Sequence, residues 1–341
     1  MQVKILGAAL LLGACGAAAP EAATSGARLE AALEARWPTD GGPAREAAFS
    51  GDGALLATSD AGGRVTVRRT SGWEESARFD HQGGATAVAF SPDGKTLYSG
   101  GYDGRVRAWD LASRDAAGVY EGAAGTVWSV SVSPDGGRIA AAGEDAKIRV
   151  WRVGSPSAEL TLAGHERNIW EVRFSPDGKR IASGSFDASV RLWDAATGAA
   201  LKTLAGHEEA VVGLAFSPDG RVLASGGDDS TIRLWRAADG APLRTIRAGN
   251  HVYKIAFSRD GRWLASAGRA RGGLGTLWHQ LTGSGGAAAP VRLWRTGDFA
   301  LAAALPHPDD VMYVGFSPDG RRLVTSGEDG AARLWRLAER R

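Results

Sequence analysis

The sequence predicts an all-β fold: a seven-bladed β-propeller of four-stranded antiparallel blades, with its ring closed by an N-terminal strand. Three observations carry this. A tight-turn motif recurs seven times along the 341 residues. Its spacing is nearly constant at 41, 42, 42, 42 and 41 residues, followed by one interval of 59. Each copy is flanked by short runs that alternate apolar and polar residues. A repeat of about 40–45 residues made of short strands is the signature of propeller blades.

The turn comes first. Ser-Pro-Asp-Gly begins at Ser91, Ser133, Ser175, Ser217 and Ser317, Ser-Arg-Asp-Gly at Ser258, and Ser-Gly-Asp-Gly at Ser50. Proline presets φ for a turn, aspartate hydrogen-bonds local backbone, and glycine tolerates positive φ. The strands follow from it. A run such as Val211 to Phe216 enters the turn, and Arg221 to Ser225 leaves it. Thr231 to Trp235 alternates as a half-buried third strand, and a stretch such as Ala200 to Leu204 supplies an outer one. The seventh repeat stops after its third strand, at Arg341. The segment from Arg28 to Trp37 is expected to supply the missing fourth strand and so remove an open edge.

The long interval marks an insertion at about 269–287, between the second and third strands of the sixth repeat. Its ends are Gly-rich. Leu274, Leu277, Trp278 and Leu281 fall on one helical face, which suits a short amphipathic turn beside the channel.

These residues resemble the WD-repeat family over roughly residues 28–341. Gly-His stands at Gly164-His165 and Gly206-His207, and Trp-Asp at Trp109-Asp110 and Trp193-Asp194. The resemblance implies a buried His, Ser/Thr, Asp and Trp chain within a blade. The matching sets are His81, Ser99, Asp103 and Trp109; His165, Ser183, Asp187 and Trp193; His207, Ser225, Asp229 and Trp235; and His307, Thr325, Asp329 and Trp335. The third repeat has Ala123 and Ala141 in place of His and Ser, the first has Arg68 in place of Trp, and the sixth has no His in register. Those three blades must rely more on apolar packing.

The resemblance also places the start of each innermost strand at the mouth of the central channel, on the face that such proteins use for ligands. The residues there are Arg45, Thr86, Trp128, Trp170, Val212, Tyr253 and Met312. Trp128, Trp170, Tyr253 and Met312, with Trp278 from the insertion, are the candidate anchors for a protein or peptide partner, since rigid aromatics are frequent interface anchors.

Little points to catalysis. His251 and His279 lack Cys or carboxylate neighbours at metal-ligand spacing. Gly94-Lys95-Thr96 mimics the tail of a phosphate-binding loop, but Ala89 replaces the required glycine. No Gly-x-Ser-x-Gly elbow occurs. The pairs Asp228-Asp229 and Asp309-Asp310 read as solvated loop residues. No cofactor is expected. Formal net charge is +2 with both signs interspersed, and Arg269 and Arg271 stand alone, so no nucleic-acid footprint is present.

The first residues read as targeting rather than fold. Lys4 precedes an apolar stretch from Ile5 to Ala14, too short to span a bilayer. Leu12-Gly13-Ala14-Cys15 resembles the lipobox of bacterial lipoproteins, which implies residues 1–14 as signal peptide and lipid on Cys15. Residues 15–27 then form the lipidated Cys and a flexible tether. Gly16 follows the Cys, which implies the outer membrane, facing the periplasm. The expectation is a monomeric, non-catalytic scaffold of the cell envelope, in membrane contact through its lipid alone. The alternatives are an accessory subunit of an envelope assembly complex and a propeller hydrolase.

Overall fold

The computed structural model describes residues 28–39, 41–270 and 289–340. The described residues form twenty-eight strands, β1 to β28, and no helix. They pair as seven four-stranded antiparallel sheets. Six blades are consecutive in sequence, from β2–β5 (Ala44–Phe49 to Glu75–Asp80) through β22–β25 (His251–Phe257 to Leu301–Leu305). The seventh combines β26 (Val311–Phe316), β27 (Arg322–Gly327) and β28 (Ala331–Arg340) with β1 (Arg28–Pro38).

The N-terminal strand therefore closes the ring. Arg28 pairs with Arg340 and Pro38 with Ala331, with a bulge between Leu33 and Ala35. Both strands are nearly twice as long as most others. Their far halves carry Leu29 and Leu337 into the cluster of Trp263, Leu305 and Trp335, which joins the sixth and seventh blades.

Each blade buries alternate side chains against its neighbour. The cluster of Ile148, Leu162, Ile169, Ile181 and Trp193, for example, lies between the third and fourth blades. Apolar burial of this kind, at about 25 cal/mol per Å², is the dominant driving force.

The recurrent turn is built alike in each copy. In the fourth blade Gly178 N–H donates to the Ser175 carbonyl (2.8 Å), and Arg180 N–H donates to Ser175 Oγ (2.9 Å). Ser175 Oγ donates in turn to Asp177 Oδ1 (2.6 Å), and Gly178 holds φ 69°, a value that explains the glycine.

A second irregularity recurs at the opposite end of each inner strand. The register slips by one residue between Ala44 and Glu46, Ala85 and Ala87, Val127 and Ser129, and Ile169 and Glu171. It slips likewise between Val211 and Gly213, Val252 and Lys254, and Val311 and Tyr313. The seven bulged residues are Arg45, Thr86, Trp128, Trp170, Val212, Tyr253 and Met312. A bulge re-aims its side chain and is often found beside a site.

Candidate functional site at the channel mouth

The bulges build one pocket. A cavity of about 290 Å³ opens at the channel mouth, lined by Arg45, Thr86, Trp128, Trp170, Tyr253 and Met312. Arg269 and Glu328 stand at its rim, and Glu46, Glu171 and Lys254 form its floor.

The wall is aromatic. Trp128 stacks on Trp170 with ring centroids 4.6 Å apart and planes at 17°. Phe186 stacks on the other side of Trp170 at 5.4 Å, and Tyr253 meets it edge-on at 5.4 Å. Tyr102 braces Trp128 edge-on at 5.7 Å. Such pairs stabilise by about 0.5–1.5 kcal/mol beyond the area they bury. The expected anchors thus differ in accessibility. Trp128 and Trp170 are half-buried. Tyr253 and Met312 are buried with Val212 in a cluster that backs the wall. Thr86 is turned inward, its hydroxyl donating to the carbonyls of Gly100 (3.0 Å) and Val127. The Trp128 indole N–H is buried with no acceptor among the described residues. Trp278 and Cys15 lie outside the described residues.

The floor is ionic, and the sequence reading missed it. Lys254 Nζ donates to Glu46 Oε1 (2.9 Å) and Glu171 Oε2 (2.8 Å). Below it Arg173 Nη2 lies 2.5 Å from Glu171 Oε1 and 3.4 Å from Glu46 Oε1. Glu46 also accepts the N–H of Val88 in the second blade (3.0 Å). Lys254 sits 5.3 Å from the centre of the Tyr313 ring. Burial works to lower the Arg173 pKa, but Glu171 and Glu46 outweigh it and raise the value. Burial raises that of Tyr313. The network ties the first, second, fourth and sixth blades together at the axis, and the pocket is backed by paired charges. The signal for it stood one place after each mouth residue. Glu46, Glu171 and Lys254 occupy positions where other inner strands have Ala87, Ser129 and Gly213.

The buried His–Asp chains lie on the same face. His165 Nδ1 is 2.8 Å from Asp187 Oδ2, its Nε2 is 2.7 Å from Ser183 Oγ, and Trp193 Nε1 donates to Ser183 Oγ at 2.8 Å. His207, Asp229, Ser225 and Trp235 repeat this geometry. In the second blade the ring of His81 is turned over: Nδ1 faces Ser99 (2.8 Å) and Nε2 faces Asp103 (3.1 Å), while Trp109 Nε1 donates to Ser99 Oγ (2.8 Å). Burial lowers the pKa of His81 and of His165, which favours the neutral rings. Burial works to raise Asp187, but hydrogen bonds from Ser189 and His165 outweigh it and hold it at about 2. A Cβ on Gly164 of the Gly-His pair would crowd the movable Arg191 guanidinium at 2.7 Å and the Trp193 ring at 3.1 Å.

The fourth set departs from the expectation. His307 Nε2 meets Thr325 Oγ1 at 2.9 Å, and Trp335 Nε1 donates to the same hydroxyl. His307 Nδ1, however, faces the Leu305 carbonyl at 3.0 Å rather than Asp329, which is taken by Arg333. In the fourth and fifth blades the residue after the His donates its N–H to the Asp, from Glu166 and Glu208. The seventh has Pro308 there, which has no N–H to give.

Blades without the chain compensate in different ways. Trp151 is buried with its N–H unpaired, and Arg149 pairs with Asp145 at 2.5 Å beside it. Trp294 keeps an acceptor in Ser266 (3.0 Å). The acidic pairs are not simply solvated. Asp228 lies 3.3 Å from His251, and the Asp310 carboxylate accepts the N–H of Ala270 at 2.9 Å, at the root of the insertion. Among the described residues no three His, Cys, Asp or Glu side chains gather as metal ligands.

The fold and this mouth define a seven-bladed propeller with an aromatic, charge-floored pocket on one face. Comparison with known proteins finds propeller and WD-repeat matches over parts of the chain. The family model for the IFT122 first beta-propeller matches residues 126–272, and the WD domain, G-beta repeat, matches residues 73–110 and 301–336. The chain carries WD repeats in a β-propeller domain. Similar curated proteins include WD repeat-containing protein 1 of Xenopus tropicalis, 39% identical over 77 residues (22% of this chain and 13% of that protein). Another is WD repeat-containing protein 86 of Homo sapiens, 44% identical over 43 residues (13% and 11%). WD repeat-containing protein 1 of Bos taurus is 41% identical over 73 residues (21% and 12%). The matched stretches thus span about an eighth of each relative's length or less.

Proposed function

We propose that this propeller is a non-catalytic scaffold that seats a protein or peptide partner at its channel mouth. The observation that carries the reading is the bulge-built pocket with Trp128 and Trp170 half-buried in its wall. Half-buried aromatics on rigid strands lose little entropy on binding, and truncation of such anchors commonly costs about 2 kcal/mol or more. The lipobox-like Leu12 to Cys15 further supports a lipid-anchored protein of the bacterial cell envelope.

Capture of partners from detergent-solubilised envelope by folded variants is the test. Trp170→Ala reduces affinity at least about 30-fold on this reading. Full capture by Trp128→Ala and Trp170→Ala alike would place the partner elsewhere. Loss of acyl label and of membrane association in Cys15→Ala checks the anchor.

A further inference from the structure

The partner's chemistry can be read from the charges around the mouth. The loops at this face of the third, fourth and fifth blades, the last two of which carry His–Asp chains, surround the Trp128–Trp170 side of the pocket. Several of their carboxylates already have partners. Asp145 forms an ion pair with Arg149, while Asp187 and Asp229 are hydrogen-bonded to the imidazoles of His165 and His207. Four exposed ones remain: Glu144, Glu166, Glu208 and Glu209 have no cation within ion-pair distance among the described residues. Against them stand Lys147 and Arg167 of the same loops, and the guanidiniums of Arg191 and Arg233, which lie against Gly164 and Gly206. Counted together, Glu144, Asp145, Glu166, Asp187, Glu208, Glu209, Asp228 and Asp229 outnumber Lys147, Arg149, Arg167, Arg191 and Arg233, so the arc beside the aromatic wall is net negative.

The pocket itself is different. Its floor pairs Lys254 and Arg173 with Glu46 and Glu171, and Arg45 pairs with Glu328 at 3.2 Å at the rim. Arg269 at the rim, beside the Tyr253 ring, has no ion-pair partner among the described residues, but a charged group driven past it would meet a floor that is already matched and would lose its own hydration. The wall suits an uncharged ring instead: both faces of Trp170 are taken, by Trp128 and Phe186, so an incoming ring meets its exposed edge, and edge-to-face contact between rings is favourable.

We infer that the partner segment inserts one aromatic side chain beside Trp170 and flanks it with Lys or Arg residues that run over the arc of the third to fifth blades. The inference deepens the mouth-binding reading and rests on it. Rim charges of this kind act chiefly on association rate and salt dependence.

The test uses the whole chain and labelled synthetic peptides in fluorescence anisotropy and stopped flow. One peptide is Gly-Lys-Lys-Gly-Trp-Gly-Lys-Lys-Gly. A second replaces Lys by Glu, and a third replaces the central Trp by Ala. The expected result is tightest binding of the first, weakened at least about fivefold in the other two. Its association rate falls as salt is raised. The triple variant Glu166→Lys, Glu208→Lys, Glu209→Lys changes exposed side chains only, and it should reverse the preference between the Lys and Glu peptides. Equal binding of the Lys and Glu peptides, abolished by Trp170→Ala, overturns the basic flank and leaves the mouth reading standing. Binding of the Lys peptide that ignores both Trp170→Ala and the triple variant overturns both. Absence of binding by every peptide overturns the inference.

Discussion

Lys254 and Glu46 stand 208 positions apart in the chain and 2.9 Å apart in the channel, where an ammonium from the sixth blade meets a carboxylate from the first. Lys254 also holds Glu171 of the fourth blade. Removing one member of such a buried network leaves the others uncompensated, a loss of about 3–5 kcal/mol. Lys254→Met should therefore destabilise strongly, seen as a lower denaturant midpoint. Glu328→Gln, which breaks an ion pair at the rim, should cost at most about 1 kcal/mol. Equal midpoints for the two variants would mean that the channel network contributes no more than a surface pair.

Closure by β1 makes a second prediction. Deleting residues 28–38 exposes the edge of β28 and uncovers the cluster that holds Leu337 and Trp263. An open strand edge is a template for aggregation. The truncated chain should melt lower and aggregate in light scattering, and an unchanged, monomeric melt would contradict the closure.

Two tryptophans separate the hydrogen bond from the packing. The Trp193 indole donates to Ser183, whereas that of Trp151 is buried with no acceptor among the described residues. Trp→Phe removes similar volume at both sites but deletes a hydrogen bond at only one. Trp193→Phe should cost about 1 kcal/mol more than Trp151→Phe in chemical denaturation. A difference of zero would show that the chains of the blades act only by shape.

The buried imidazoles set a pH dependence. Burial lowers His81, His165 and His307, the last to about 4 from an ordinary 6.5. Between those values the unfolded chain binds more protons than the folded one, so stability falls as pH is lowered from about 6.5. Asp187, held at about 2, adds a further loss below its ordinary 3.8. Melting temperature should drop steadily over this range. His307→Gln should flatten the fall between pH 6.5 and 4, and an identical slope would remove His307 from the account.

Much of the fold was legible because it repeats. The turn, the alternating strands and the place left for Arg28 to Trp37 are local signals copied many times. Less of the site was legible. The mouth positions could be located, yet burial of Tyr253 and Met312 behind the wall depends on neighbouring blades. The channel network joins Glu46, Glu171 and Lys254 from separate blades, and a single charged residue in a strand looks like a solvent-facing one. The departure at His307 had a readable cause in Pro308, but its weight emerges only when the N–H of Glu166 is seen on Asp187.

The seven bulges separate what the ring must keep from what it can change. A bulged residue stands outside the ladder, so its identity places no demand on strand pairing. The seven occupants differ accordingly: Arg45, Thr86, Trp128, Trp170, Val212, Tyr253 and Met312 range from cationic to aliphatic to aromatic, while the turn at the other end of the same strands scarcely varies. The mouth is in effect a circle of seven positions on a fixed frame, of which Thr86, Val212, Tyr253 and Met312 are held by their own burial while Arg45, Trp128 and Trp170 stand partly exposed. A new specificity is most readily installed at the partly exposed members of that circle, where a substitution leaves the ladder beneath it untouched.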